Sequence, residues 1–254
     1  MSLPQDLNFY LFAIPAVLLI GLAKGGFSGL GALGTPLMAL GIDDPVKAAA
    51  ILLPILIAQD VVGVTAFRKS WDGSVLVAMI PGAVVGIGLG YLLAAHVSSD
   101  AVMAALGATS ILFGAYRLWI ERGGRIAASS NSPAWVGSLY GVATGFTSQI
   151  AHAGGPPFQM WVMPKRLPRD VFVGTSAIFF AIINWIKVPA YVALGQFTRD
   201  NMIATAVLLP VAILASLAGV KLVRGVSMER FYTIIYALMI AAGAKLLLDG
   251  IGLT

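Results

Sequence analysis

The chain has 254 residues, of which 59% are apolar and only 11% are charged. Soluble domains carry about 25% charged residues, so this composition predicts a polytopic, all-α membrane protein rather than a soluble one. The net charge of +5 comes from basic residues between hydrophobic runs, which indicates membrane topology and not nucleic-acid binding. Cysteine is absent, which excludes disulfides and cysteine metal clusters.

The first segment, residues 7–42, is apolar apart from Lys24 and is too long for one straight span of a hydrocarbon core about 30 Å thick. Glycine and proline interrupt it between Gly29 and Pro36, so we predict a helical hairpin in which two short helices meet at an irregular turn. Irregular backbone at membrane depth must face protein or water, so this turn is expected to point inward. Residues 1–10 contain neither Lys nor Arg, so a cleaved signal peptide is not expected and the first span should remain.

A second uncharged and interrupted segment, residues 133–164, predicts a second hairpin of the same kind. We therefore divide the chain into a first transmembrane repeat (1–122), a cytoplasmic linker (123–133) and a second transmembrane repeat (134–254). Each repeat contains one hairpin followed by three single spans. The six apolar runs long enough for these single spans are 48–67, 75–95, 101–120, 171–194, 201–220 and 231–248.

The two halves match each other in sequence. Pro81 aligns with Pro210 and Gly114 with Gly243 at a constant offset of 129 residues. Earlier in each half, a Gly-Phe-Ser/Thr triplet that begins at Gly26 or Gly145 precedes the interruption. A duplicated apolar chain with interrupted helices in matching positions is typical of secondary transporters, whose substrate binds at the interruptions.

The basic residues indicate that the two repeats are inverted. If each hairpin returns to the side from which it entered, each half crosses the membrane an odd number of times. Most basic residues then lie in the cytoplasm, as the positive-inside rule requires, and both termini lie outside. A hairpin that crossed only once would split the basic residues about evenly between the two sides. The predicted cytoplasmic set is Arg68, Lys69, Arg117, Arg122, Arg125, Lys165, Arg166, Arg169, Lys221, Arg224 and Arg230.

The two hairpin turns are the first candidates for a substrate site. Thr35-Pro36 and Gly155-Pro156 have the pattern of a cap and first residue of a returning helix. The free N–H groups and the dipole of such a helix end attract anions. The alternative is that the glycines only allow close helix packing. Short polar residues that suit an oxyanion lie around the turns: Ser28, Thr35, Thr147, Ser148 and Gln149.

Three charged residues lie at membrane depth, where a charge is costly and indicates a cavity or a partner. Lys24 and Lys187 could each bind an anionic substrate, although Lys187 could instead reach the membrane surface. Asp60 could carry a coupling proton, or it could only form an ion pair with one of the two lysines. His152, in the second interruption, could bind the substrate or relay protons, or it could simply pack.

No zinc-binding spacing, nucleophile elbow, P-loop or dinucleotide fingerprint occurs in the chain, so nothing indicates an enzyme or an ATPase. We expect no cofactor and no metal site. The expected partners are a small anion, a coupling proton or sodium ion, and the lipid bilayer; nucleic acid is not among them.

These motifs resemble the sulfite exporter TauE/SafE family of bacterial permeases. The resemblance extends over both halves and is carried by Lys24 to Gly31, Gly145-Phe146, His152 to Pro157 and Gly174-Thr175-Ser176. It implies movement of small sulfur-containing anions, such as sulfite, sulfoacetate or other organosulfonates, across the bacterial inner membrane. The residues that the resemblance places near the substrate are Gly154, Gly155, Pro156, Thr175 and Ser176.

The leading hypothesis is therefore a secondary transporter, and more specifically an exporter of a small sulfur-containing anion. A passive anion channel is the first alternative, and it requires a continuous water path. A membrane subunit that delivers sulfur to a cytoplasmic enzyme is the second, with the basic loops as its docking surface. Saturable flux with counterflow favours the carrier, and co-purification with a soluble partner favours the subunit.

Overall fold

The computed structural model describes residues 7–24, 30–42, 44–124, 132–222 and 229–253. Within this part the chain forms ten α-helices and two short 3-10 helices, and no β-strand. The 3-10 helices are Leu30–Leu33 and Met163–Lys165. The α-helices are α1 (Leu7–Lys24), α2 (Gly34–Leu40), α3 (Pro45–Phe67), α4 (Gly73–His96), α5 (Ser99–Glu121), α6 (Ala134–Ala151), α7 (Gly155–Val162), α8 (Arg169–Ala193), α9 (Arg199–Leu222) and α10 (Glu229–Gly250).

Seven of these helices are long and apolar enough to cross a membrane, namely α1, α3, α4, α5, α8, α9 and α10. Large apolar side chains also cover the outside of the bundle, where Val77 is 77% exposed and Leu112 is 70% exposed. A continuous apolar surface of this kind is expected where a protein faces lipid tails. The prediction of an all-α, polytopic membrane protein is confirmed.

Each interrupted segment folds back on itself with one long arm and one short arm. A side chain at Gly34 would touch Ile20, and one at Gly41 would touch Phe12, so α2 returns antiparallel along α1. In the second segment α7 likewise packs against α6. The short arms α2 and α7 have 7 and 8 residues, or about 10–12 Å, and do not cross the membrane. The prediction of two short helices was wrong for α1 and α6, which have 18 residues each because the breaking residues follow them.

The helix contacts repeat when the two halves are exchanged. The order of hairpin and three long helices in α1–α5 recurs in α6–α10. Helix α1 packs on α9, and its counterpart α6 packs on α4, which is the counterpart of α9. Helices α3 and α5 each pack on their own counterparts, α8 and α10. Such an exchange of partners is expected for two structural repeats related by a two-fold axis.

Helices α3 and α8 lie side by side and run in opposite directions. Asp60 in α3 is bonded to Asn184 in α8. Further along α3, Gly63 faces Ala177, which lies earlier in α8. The end of α3 therefore lies beside the beginning of α8.

Helices α4 and α6 pack backbone to backbone through glycine. A Cβ atom added at Gly82 would lie 1.9 Å from the Ser138 carbonyl oxygen. One added at Gly86 would lie 2.0 Å from the Val142 carbonyl oxygen. Only glycine allows so close an approach, which is common where helices pack in membranes. The contacts advance in the same order along both helices, so α4 and α6 are parallel.

The described basic loops lie at one end of the bundle. Helix α9 runs parallel to α3, because Thr205 bonds to Ile51 and Gln59 bonds to Ala212, so both helices end at the side where α8 begins. Helix α4 leaves from this end and α5 returns to it. Arg117 does not belong to these loops, contrary to prediction, because its side chain turns inward and is only 9% exposed. The described basic residues at this end, called the basic end below, lie in loops or in the last turn of a helix and include Arg68, Lys69, Arg122, Lys165, Arg166 and Lys221.

Candidate functional site

A cavity of about 120 Å³ lies between the two hairpins. Gly31 and Thr35 of the first hairpin and Gly155 and Pro156 of the second form parts of its wall. The space holds several water molecules and therefore also suits a small polyatomic anion. Much of the wall is apolar, and its polar side chains are Lys24, Thr35, Ser148, His152, Gln159, Ser176 and Asn184.

One face of α8 forms the longest wall of this cavity. Phe172, Ser176, Phe180 and Asn184 all line it, and they follow one another at intervals of about one helical turn. This row begins in the first turn of α8, at the basic end, and extends about 18 Å along the helix. The cavity therefore runs from the basic end toward the middle of the bundle.

At the end of the first hairpin, Lys24 forms an ion pair with Asp60 of α3. The second carboxylate oxygen of Asp60 accepts a hydrogen bond of 2.6 Å from the Asn184 amide of α8. The Lys24 side chain is 14% exposed and lines the cavity, whereas that of Asp60 is 4% exposed and lies behind the wall. The Lys24 ammonium also lies 5.6 Å from the centre of the Phe180 ring, which is favourable for a cation.

At the turn of the second hairpin, where α6 ends, the Lys187 side chain of α8 is fully buried and contacts only neutral groups. Its ammonium lies 3.2 Å from the Ser148 carbonyl oxygen, 3.1 Å from the Ser148 hydroxyl and 2.7 Å from His152 Nδ1. Within the described part of the chain, no carboxylate lies within 4.0 Å of this amine. A lysine ammonium has three hydrogens, so these three acceptors satisfy all of them.

Helix α6 ends at His152, whose side chain is held by neighbouring helices. His152 adopts a left-handed conformation with φ of 51°, which terminates the helix. Its Nε2 lies 2.7 Å from the Ala49 carbonyl oxygen, which can only accept, so Nε2 carries the hydrogen and Nδ1 faces Lys187. The Lys187 ammonium then lies at the carbonyl end of α6, where the helix dipole favours positive charge. The imidazole is also stacked on Tyr191, with ring centres 6.0 Å apart.

The short helices begin at residues other than the predicted ones. A 3-10 helix runs directly into α2, so Thr35 lies inside the helix rather than at its cap. The cap of α7 is Gly154, one residue before the predicted position. Because Pro156 and Pro157 have no N–H, the start of α7 offers few backbone donors to an anion. The Lys24 ammonium, and not a helix end, is therefore the strongest positive group facing the cavity.

The cavity brings together about half of the predicted binding residues. Asp60 and Lys187 lie behind its wall and are bonded to residues that line it. Gly154 is not part of the wall, although the adjacent Gly155 is. The predicted binding residues that line the cavity are Lys24, Thr35, His152, Gly155 and Ser176.

Two other predicted residues, Thr175 and Gln149, are described by the structure and do not line the cavity. Thr175 is buried and accepts a hydrogen bond of 2.8 Å from the backbone N–H of Asp72, which holds the loop between α3 and α4. The Gln149 side chain packs close to Gly90 of α4. Ser28 lies outside the described residues.

One buried cation near the cavity was not recognised in the sequence. Arg117 of α5 donates hydrogen bonds to the Gln159 amide oxygen (3.3 Å) and to the Tyr236 hydroxyl (3.0 Å). Gln159 lines the cavity, so Arg117 fixes the orientation of one of its polar groups. The position of Arg117 near the end of a predicted span suggested a loop, and no local pattern showed that its side chain reaches α7.

The comparisons with known proteins give one match. The family model described as "Sulfite exporter TauE/SafE" matches residues 13–246, which include the turns of both hairpins and every residue of the cavity wall. No curated protein matches the chain. No solved structure matches it either.

Proposed function

The chain belongs to the sulfite exporter TauE/SafE family, and we propose that it is a secondary transporter exporting a small sulfur-containing anion from a bacterial cell. The proposed substrates are sulfite, sulfoacetate or another organosulfonate, carried across the inner membrane. The observation that carries this proposal is a cavity that both interrupted helices line and that has the Lys24 ammonium in its wall. Interrupted helices beside a cavity are the usual substrate sites of transporters.

The polar groups of the cavity suit an oxyanion. The Lys24 ammonium supplies the charge, and Thr35, Ser176 and Asn184 supply donors on the same wall. The aromatic and aliphatic remainder of the wall lowers the local polarity, which strengthens these contacts. It also leaves room for the short carbon chain of an organosulfonate.

We further propose that the repeats are inverted and that the basic end faces the cytoplasm. The antiparallel packing of α3 on its counterpart α8 supports the inversion, because equivalent helices then point in opposite directions. The concentration of basic loop residues at one end supports the orientation. Both termini would then lie outside, and the cavity would extend toward the cytoplasm in this conformation.

Ligand-dependent thermal stabilisation of the purified protein tests the substrate class. We expect sulfite, sulfoacetate or another sulfonate to raise the melting temperature, with acetate and chloride as controls for any anion. Reconstituted protein should then show saturable flux and counterflow of that anion. Flux without saturation would indicate a channel, and a lack of both binding and flux would argue against the proposal.

Labelling of single cysteines tests the proposed topology. Cysteines introduced at Arg68 and Arg166 should both react with a membrane-impermeant reagent only from the cytoplasmic side. A cysteine at Gly195, in the turn after α8, should react only from outside. Reaction of the first two positions from opposite sides would exclude inverted repeats.

A further inference from the structure

We infer, on the basis of the proposed transporter, that each anion binds together with one proton and that Asp60 is the proton acceptor. The entering anion takes the Lys24 ammonium from Asp60, and the carboxylate left without its cation takes up a proton that comes from the solvent on the side from which the anion entered. When the anion leaves, Lys24 pairs with Asp60 again and the proton is released. Anion and proton therefore move in the same direction.

The arrangement of donors makes the anion and Asp60 compete. Within the described structure the side-chain donors bonded to Asp60 are Lys24, on one carboxylate oxygen, and Asn184, on the other. Both donors line the cavity, whereas Asp60 does not. An anion in the cavity thus reaches the groups that hold Asp60 without contacting Asp60 itself.

Lys187 cannot replace Lys24 as the partner of Asp60. The charged or titratable groups that face Asp60 in the described structure are Lys24 from α1 and Lys187 from α8, with His152 from the α6–α7 turn behind Lys187. The three hydrogens of the Lys187 ammonium already point to the Ser148 carbonyl, the Ser148 hydroxyl and His152. Turning the hydrogen on His152 toward Asp60 would leave Nδ1 without this donor, and turning either of the others would break a hydrogen bond of a fully buried ammonium, which is costly.

Protonation is the least costly response of the displaced carboxylate. An ionised carboxylate in an apolar site is strongly destabilised once its cation is engaged elsewhere, and such groups become neutral instead. Protonated Asp60 can still accept the hydrogen bond from Asn184, so the rest of the cluster stays in place. The charge added by a monovalent anion is then cancelled by the proton.

This coupling determines which forces drive transport. A monovalent anion with one proton carries no net charge, so it follows the pH gradient and its own gradient but not the membrane potential. A divalent anion with one proton carries one negative charge. A potential that is negative inside then drives its export, by about 2.3 kcal/mol per 100 mV. Export driven by the potential is thus expected for divalent substrates only.

Proton uptake on binding tests the inference directly. Sulfoacetate is a suitable probe, because both of its acidic groups stay ionised near neutral pH. Calorimetric titration of the detergent-solubilised protein in buffers of different ionisation enthalpy counts the protons taken up. We expect about one proton per sulfoacetate bound by the wild type, and an affinity that rises up to about tenfold for each unit fall in pH.

Two variants separate Asp60 from the other acids. Asp60→Asn should bind sulfoacetate without proton uptake and with an affinity independent of pH. Asp100→Asn, at the exposed start of α5, should behave like the wild type. Wild-type binding with no proton uptake, or with a requirement for sodium in its place, would overturn the inference even if Asp60→Asn did not fold. A wild type that binds none of the tested sulfur anions would instead refute the transporter proposal itself.

Discussion

A lysine lies at the turn of each hairpin, and the two turns, called the first and the second hairpin end below, stabilise its charge in different ways. At the first end, Lys24 is paired with Asp60 and also faces the cavity. At the second, Lys187 is fully buried, and its hydrogens point to Ser148 and His152, which belong to the end of α6. A cation held by one carboxylate can exchange that partner for a substrate. A cation whose hydrogens are all used by fixed neutral groups cannot do so without losing its hydrogen bonds to the end of α6.

The hairpins also differ in how closely their long helices, α1 and α6, pack against the neighbouring helices. Helix α6 meets α4 backbone to backbone, and a Cβ atom at Gly86 would lie 2.0 Å from a carbonyl oxygen. Helix α1 meets α9 with more side-chain contact, since a Cβ atom at Gly21 would first meet the Ala215 methyl group, at 2.5 Å. The long arm of the second hairpin is thus the more closely packed of the two, which agrees with a fixed lysine there.

The largest expected effect on stability comes from disturbing the close packing of α6 against α4. Gly86→Ala places a methyl group against the Val142 carbonyl and the Phe146 backbone nitrogen, neither of which can move without shifting α6. We expect a loss of roughly 3 kcal/mol in unfolding free energy, or failure to fold, measured by thermal unfolding in detergent. The matched control is Gly88→Ala on the same helix, where no atom lies within 4 Å of the new methyl group. Equal stability of the two variants would disprove the close packing of α4 against α6.

Removing the carboxylate of the first end should have the next largest effect. Asp60→Asn leaves the Lys24 ammonium without its counter-charge in a mostly buried site. We expect a loss of about 3 kcal/mol in unfolding free energy when no anion is present, as for other buried pairs that lose one partner. Because an added anion can replace the missing carboxylate, a bound sulfonate should stabilise Asp60→Asn more than it stabilises the wild type.

A second substitution shows whether the loss comes from the unpaired charge. Lys24→Met combined with Asp60→Asn removes both charges and should recover most of the stability lost in Asp60→Asn. A double-mutant cycle measures the coupling between the two side chains. Additive effects would mean that the ion pair contributes nothing and that the contrast between the two ends has another origin.

The sequence predicted the long spans and both hairpins, because composition and the Gly/Pro interruptions determine these features locally. It also singled out Lys24, Asp60 and Lys187, whose side chains are all largely buried in the bundle. It could not determine which lysine pairs with Asp60, since that choice depends on how α1 and α8 pack against α3. The helix starts at Thr35 and Gly155 were misplaced because a 3-10 helix and a glycine cap leave no distinctive local pattern.

Thr175 and Ser176 illustrate the same limit on a smaller scale. The family resemblance placed both near the substrate, and they are adjacent in α8. In the helix they point in different directions, so Ser176 lines the cavity while Thr175 holds the backbone of Asp72. Neighbouring residues of a helix differ by about 100° in direction, and only the packing of the helix decides which of them faces the site.

An intermediate effect is expected on anion binding at the first end. Lys24→Met should weaken binding of sulfoacetate by about 1–3 kcal/mol, the range for loss of a hydrogen bond with a charged group. Lys24→Arg should retain part of the affinity because it keeps the charge. Lys221→Met, at the exposed end of α9, is the matched control and should bind normally. Normal binding by a well-folded Lys24→Met variant would assign the lysine a purely structural role.

The smallest expected effect concerns one acceptor at the second end. Ser148→Ala removes the hydroxyl that accepts from Lys187 but keeps the Ser148 carbonyl and His152 as acceptors. We expect a loss of about 1 kcal/mol in unfolding free energy, since one hydrogen bond of a buried ammonium is lost. Ser110→Ala is the control, because that buried hydroxyl bonds only to a carbonyl of its own helix and its removal should cost less. If the second end is fixed, proton uptake on sulfoacetate binding should stay at the wild-type value in Ser148→Ala. A changed proton count would show that Lys187 also exchanges partners during binding. Both lysines would then take part in the exchange, and the second end would not be fixed.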